Sequence, residues 1–198
     1  MTALLEALRA HAASAPDRII LDPCGAAPLT RSQLVAQIES RAGDLRLEFD
    51  PARPVALGCD HSAETSVLEL ALLEAGIPVL SLPAFFTPEQ TLHATRSCGA
   101  QAAFASSPPE AAKLCRTAPI PLPEGTARIT FTSGSTGTPK GICLSAGHML
   151  AVAASVVDAL GTEHAGRHLA LLPPGILLET VAGFFATMLA GGTYVCPP

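Results

Sequence analysis

The sequence predicts an α/β fold, a mainly parallel sheet with helices on both faces. Three observations carry this. Short apolar runs alternate with helical stripes at close intervals, the order that builds crossover units. Several helix starts carry side-chain caps. The strand runs are mostly apolar without a polar-apolar alternation, as expected of strands covered on both sides.

In chain order, Leu4, Leu5, Leu8 and Ala12 share one helical face, and Ala15-Pro16-Asp17-Arg18 ends that helix. Ile19 to Leu21 reads as a short strand. Thr30 and Gln33 form a capping box before a helix striped by Leu34, Ile38, Ala42 and Leu45. Val55 to Gly58 reads as a buried strand. Ser62 caps a helix through Val67, Leu68, Ala71 and Leu72 that stops at Gly76. Ile77 to Leu82 is the next strand, and Thr87-Pro88-Glu89-Gln90 is a second capping box with proline at the first helical position. That helix stops at Gly99, and Ala102 to Ala105 follows as a strand. Ser106 to Gly125 is rich in Pro, Ala and Glu and reads as a surface connection. Ser145 caps a helix through Met149, Val152, Ala153 and Val156. His168 to Leu172 reads as a strand, Pro173-Pro174-Gly175 as a turn, Leu178 to Leu189 as a helix and Tyr194-Val195 as a last strand. The organisation expected within one partial domain is an α/β unit over 1–105, a connection over 106–127 and a second unit over 128–198 that opens on a glycine-rich loop.

The 198 residues carry a formal net charge of −5, with no run of like charges. A nucleic-acid or anionic-membrane binder would show a basic patch, so neither partner is expected. The six cysteines are scattered without a Cys-x-x-Cys pair, which suggests neither a zinc site nor a disulfide framework and points to the reducing cytoplasm. Glu6 and Arg9 interrupt the first apolar stretch, unlike a signal peptide. The uncharged stretch from Thr180 to Pro198 is broken by Gly191-Gly192, so no membrane span is read there. The histidines have no metal-ligand spacing.

The most particular stretch is Thr132-Ser133-Gly134-Ser135-Thr136-Gly137-Thr138-Pro139-Lys140-Gly141, between the apolar runs Ile129 to Phe131 and Ile142 to Leu144. Hydroxyls and glycine-freed N–H groups are anion donors, and lysine is a mobile point charge. The loop suits a nucleotide polyphosphate. Its competitor is a surface Ser/Thr/Gly hairpin, which rarely combines Pro-Lys-Gly with flanking apolar strands. It is not a P-loop: Pro139 stands where that pattern needs glycine, and Gly141 where it needs a hydroxyl.

The unbroken order Thr-Ser-Gly-Ser-Thr-Gly-Thr-Pro-Lys-Gly resembles the signature loop of the adenylate-forming enzymes, which include acyl-CoA synthetases, firefly luciferase and peptide-synthetase adenylation domains. The resemblance extends weakly before residue 128 and recurs over Leu171 to Gly192. It implies the first half of the large N-terminal domain of such an enzyme. The implied activity is ATP-dependent activation of a carboxylic acid, in fatty acid metabolism, with coenzyme A or a carrier-protein arm as thiol acceptor. The implied phosphate-binding set is Thr132, Ser133, Gly134, Ser135, Thr136, Gly137, Thr138 and Lys140. The implied acyl-pocket wall is Gly175, Ile176, Leu177 and Leu178, where the family often has an aromatic and a histidine; an ordinary core role at a helix start stands equally open. No aspartate lies between Leu169 and Pro198, which disfavours an amino-acid substrate.

Glu179 would either touch substrate or metal or, more ordinarily, complement its helix dipole. His148 would reach a phosphate or, more ordinarily, be solvated or packed. The family's adenine, ribose and Mg²⁺ segments and its catalytic lysine have no counterpart in these residues. No catalytic or metal-ligating residue is therefore assigned, the Mg²⁺ ligand being expected in another part. The expectation is a fragment inactive on its own, exposing a strand edge and an apolar patch that favour association with a missing half or second chain. The competing reading is a non-catalytic nucleotide-binding or interaction module.

Overall fold

The computed structural model describes residues 2–105, 109–114, 118–132 and 140–197. Two mixed, mostly parallel sheets hold the fold. The larger is built from β3 (Val55–Leu57), β4 (Val79–Ser81), β5 (Ala102–Phe104), β6 (Ala111–Lys113), β7 (Thr126–Thr132) and β8 (Lys140–Ser145), in the order β6-β5-β3-β4-β7-β8. The smaller combines β1 (Ile19–Pro23) and β2 (Leu29–Thr30) with β9 (Arg167–Leu169) and β10 (Thr193–Cys196), in the order β2-β1-β10-β9. The strand-helix intervals read in the sequence give the parallel pairs β3–β4 and β3–β5. The parallel pair β1–β10 joins residues at opposite ends of the chain, with Leu21 beside Tyr194.

The helices are α1 (Ala3–Ser14), α2 (Arg31–Glu48), α3 (Ala63–Ala75), α4 (Pro88–Ser97) and α5 (Ala146–Leu160). Both capping boxes form: Thr30 and Thr87 accept from the amides of Gln33 and Gln90, whose side chains reach back to the cap. Ser62 and Ser145 cap α3 and α5 through the amides of Thr65 and His148.

Helices do cover both faces of the larger sheet. Val55, Leu57 and Val79 pack against α2 and α3 through Leu45, Leu68 and Leu72. Ala56, Leu80 and Ile129 point the other way, onto Ala94 and Cys98 at α4. Helix α3 also serves the smaller sheet, where Val67, Leu70 and Leu73 join a core with Ile20, Leu34, Phe184 and Tyr194. It is buried almost all round, the condition for a helix with apolar residues on every side.

Ala111–Lys113, inside the segment read as a connection, forms an exposed antiparallel edge strand on β5. The helix expected from Leu178 begins instead as a π-helical segment, Glu179–Phe185, which runs into α6 (Ala186–Leu189). At the β9 edge Leu169, Leu171, Leu172 and Leu178 are all exposed, by 40–76%. No helix among the described residues is long and apolar enough to cross a membrane.

Candidate functional site

Strands β7 and β8 form an antiparallel hairpin whose mouth is the pair Thr132 and Lys140. Both are exposed. Ser133, Gly134, Ser135, Thr136, Gly137 and Thr138, the rest of the expected phosphate set, lie outside the described residues. The hairpin's base is held firmly. Arg128, one of the innermost residues of β7, is buried and bonds Glu69 of α3 and Ser81 of β4. Its neighbour Ile129 is buried on the opposite face. Gly141 lies so close to Phe131 that a Cβ there would stand 3.1 Å from the ring.

Beside the mouth lies a cleft of about 320 Å³. Thr130, Phe131 and Thr132 form one side, Pro83, Phe85 and Phe86 another, and Gly175, Ile176 and Leu177 a third. Three of the four residues expected as an acyl wall thus face the same space as Thr132. The fourth, Leu178, is 64% exposed and lines a separate apolar groove of about 340 Å³ with Leu144, His148, Met149 and Val152. Leu177 borders both spaces. His148 is exposed at the start of α5, the solvated alternative of its reading.

Gly175 is required by a close approach. A Cβ there would stand 2.9 Å from the Pro83 backbone, so the turn is pressed onto the loop after β4. Behind that turn is a polar cluster that sequence reading missed. Glu179 is 4% exposed. Its Oε1 accepts from Tyr194 Oη at 2.9 Å and from His168 Nε2 at 2.7 Å, and its Oε2 accepts from the Leu172 amide at 3.3 Å. His61 Nε2 donates to the Leu172 carbonyl at 2.6 Å. His168 stacks on Tyr194 with ring centroids 5.5 Å apart and planes 13° apart. Burial, and then the Glu179 charge beside it, push the Tyr194 phenol well above its ordinary range. The first-turn position of Glu179 suggested a dipole role; instead the side chain turns inward and accepts three hydrogen bonds. The only legible signal was that it is the sole charge between His168 and the end of the sequence.

A small cavity with about 10 Å³ open to a water lies between this cluster and Glu69, lined also by Thr65, Ser66 and Thr180. That is about the minimum for a single water. No group of three His, Cys, Asp or Glu that could hold a metal occurs among the described residues.

A family model described as AMP-binding enzyme matches residues 107–198, the portion that holds the hairpin and the turn. Over 76 residues, 38% of this chain, the sequence is 41% identical to FR901469 synthetase of Dothideomycetidae sp. (strain 11243); the match covers 0% of that protein to the nearest per cent. Among solved structures, O-succinylbenzoate coenzyme A synthetase of Bacillus subtilis in complex with AMP superposes with a TM-score of 0.79 at 22% identity, over 96% of this chain and 54% of that one. The nonribosomal peptide synthetase FmoA3 gives 0.77 at 23% identity, over 98% of this chain and 22% of that one. The N-terminal subdomain of Klebsiella oxytoca NpsA, in complex with 3-hydroxyanthranilyl-AMSN, gives 0.76 at 20% identity, over 100% of this chain and 54% of that one. The chain therefore spans about half the length of the O-succinylbenzoate coenzyme A synthetase and NpsA chains and less of FmoA3, and these likenesses establish a shared fold. The AMP-binding enzyme model thus matches a little under half of the chain, and over its whole length the chain shares the fold of adenylate-forming enzymes.

Proposed function

We propose that this chain supplies the ATP-phosphate loop and part of the acid pocket of an ATP-dependent, AMP-forming carboxylic acid–thiol ligase. The observation that carries the reading is the juxtaposition of Thr132 and Lys140 at the hairpin mouth with the Gly175–Ile176–Leu177 wall across one cleft. The reaction joins a carboxylate to the α-phosphate of ATP, and such a pairing puts acid and phosphates side by side.

In the reaction, a carboxylate oxygen attacks the α-phosphorus, the bond to the β-phosphate bridging oxygen breaks, and pyrophosphate leaves. The loop hydroxyls and amides of 132–138 hold the β- and γ-phosphates and take up the charge that develops on the leaving group. Lys140, exposed at the hairpin mouth, would bring a mobile positive charge to the outer phosphates. Magnesium entering with ATP would neutralise part of that charge; among the described residues no group of three His, Cys, Asp or Glu stands ready to hold it. A thiol, of coenzyme A or of a carrier protein, then attacks the acyl carbon, loses its proton and forms the thioester as the acyl–phosphate C–O bond breaks and AMP leaves. Polar and apolar groups line the cleft about equally. Pro83, Phe86, Ile176 and Leu177 would take the apolar part of an acid, a fatty acid included, beside Gln90, Thr130 and Thr132, and no lining residue is a carboxylate to meet an amine. The five described cysteines are all free, in keeping with work in the reducing cytoplasm.

Amide chemical-shift mapping tests the placement. ATP with Mg²⁺ should shift Thr132, Lys140 and Gly141, and a medium-chain carboxylate should shift Gly175 to Leu177. Perturbations confined to other surfaces would overturn the assignment. Because the adenine, ribose and lid segments of the family are absent from these residues, the chain alone should release no pyrophosphate on adding acid and ATP. Sustained acid-dependent turnover would contradict that. Nucleotide binding without any acid binding would favour the second reading, a non-catalytic nucleotide-binding module.

A further inference from the structure

The cleft wall formed by Gly175, Ile176 and Leu177 has few apolar anchors of its own: these residues are only half-buried, and Leu172 and Leu178 on either side are exposed by 40% and 64%. A turn with so little packing opens easily unless polar contacts hold it. Here the backbone is tied at successive points. The Leu172 amide donates to Glu179 and its carbonyl accepts from His61. Thr180 Oγ1 donates to the Pro174 carbonyl at 3.0 Å. The Ile176 amide donates to the Pro173 carbonyl at 2.9 Å.

Glu179 is the hub of this arrangement. A carboxylate only accepts, and three donors converge on this one. A glutamine would turn its NH₂ donors toward at least one of them. The local helix is also shaped around the carboxylate. Glu179 opens the π-helical segment, a form of helix that recurs at functional sites. Gly183 faces it, and a Cβ at Gly183 would stand 2.6 Å from Glu179 Oε1 and 2.7 Å from His168 Nε2. Yet Glu179 itself is almost wholly buried and does not line the cleft.

We infer that Glu179 is a positioning residue: with His61, His168 and Tyr194 it clamps the 172–178 segment and so fixes the width of the acid cleft beside Thr132. This rests on the acid-cleft reading given under the proposed function. Its consequence is specificity. A fixed wall discriminates between slim and bulky acids, and a loosened wall does not.

The test compares wild type, Glu179→Ala and Tyr194→Phe by hydrogen exchange with mass spectrometry and by direct binding of hexanoate and 1-adamantanecarboxylate. In Glu179→Ala, amides of 172–178 should exchange at least about tenfold faster, because three donors lose their acceptor. The β7–β8 hairpin should keep its protection. The preference for hexanoate should fall by at least about threefold. Tyr194→Phe removes a single hydroxyl and should show the same pattern at smaller amplitude, so it serves if Glu179→Ala does not fold. Faster exchange spread evenly through the chain, or no change at 172–178, would overturn the clamp. Acid binding by neither wild type nor variants would overturn the cleft reading, and with it the specificity role, while the exchange pattern still decides whether Glu179 holds the turn.

Discussion

The hairpin mouth and the Glu179 cluster stand on opposite sides of one cleft and are built in opposite ways. The mouth belongs to a contiguous stretch of sequence, and its described residues Thr132 and Lys140 are exposed and paired through the backbone ladder of β7 and β8. The cluster draws His168, Glu179 and Tyr194 from three separate elements and His61 from the loop before α3, and buries its central carboxylate. The difference teaches where rigidity is stored. On the proposed function, Thr132 and Lys140 would meet a hydrated polyphosphate at the surface. The wall against which an apolar acid would lie must be in place beforehand, since a small apolar ligand has little interaction energy to spend on ordering a loop. Between them runs the buried pair Arg128–Glu69, which ties the hairpin base to α3, and α3 to the edge of the Glu179 cavity.

The comparison can be broken hardest at that tie. Replacing Arg128 by Met leaves Glu69 as a buried carboxylate without its cation, and should lower stability by about 3–5 kcal/mol. A urea melt followed by circular dichroism measures it, and a loss under about 1 kcal/mol would show that the hairpin base is not anchored as described. Next comes Gly183→Ala on the clamped side. The added methyl meets both Glu179 and His168, and overpacking of this kind costs about 1–3 kcal/mol. The equivalent change at Gly147, where nothing lies within 4 Å, should cost nothing and provides the control.

A gentler lever is alkaline pH. Burial pushes the Cys98 and Cys196 thiols up to about 11, raises Cys59 and holds the Tyr194 phenol above its ordinary value. Each folded pKa is raised over the unfolded one, so the stability these groups contribute is complete below the unfolded values and is lost as pH rises. The decline should begin near pH 9, where unfolded thiols ionise, and steepen above about 10 as the unfolded tyrosine joins them. Its slope is at most about 1.4 kcal/mol per pH unit for each group. Urea midpoints between pH 7 and 11 under reducing conditions measure it, and Cys98→Ala or Cys196→Ala should flatten the curve. A midpoint constant to pH 11 would contradict the burial of these groups.

The same contrast explains what could be read from sequence. Caps are local, so Thr30 with Gln33, Thr87 with Gln90, Ser62 and Ser145 all stood out and all form. The apolar strand runs gave the larger sheet and its two covered faces, as Val55 and Ala56 illustrate by packing in opposite directions. The proposed phosphate loop stands out because its hydroxyls, glycines and lysine are consecutive in the sequence. The division into two sheets was not, because the pairing of Leu21 with Tyr194 leaves no local trace. Strand β6 escaped because Ala111-Ala112-Lys113 is exposed and lacks β-branched residues. Glu179 escaped for a related reason: a glutamate in a first helical turn has an ordinary explanation, and its three donors come from residues 7 to 15 positions away. The π-helical start followed it out of reach, since the close approach of Gly183 to that carboxylate also leaves no mark in the sequence.

The central claim is that the hairpin mouth addresses the outer phosphates of ATP, and the most direct measurement is calorimetric titration of ATP and AMP into wild type and Lys140→Ala. Lys140 is exposed and away from the core, so the variant should keep its urea midpoint to within about 0.5 kcal/mol. A charge-assisted hydrogen bond contributes about 1.5–3 kcal/mol, so ATP affinity should fall by about 10- to 150-fold while AMP affinity stays nearly unchanged. Equal losses for ATP and AMP, or no loss for either, would contradict the assignment of the mouth to the polyphosphate.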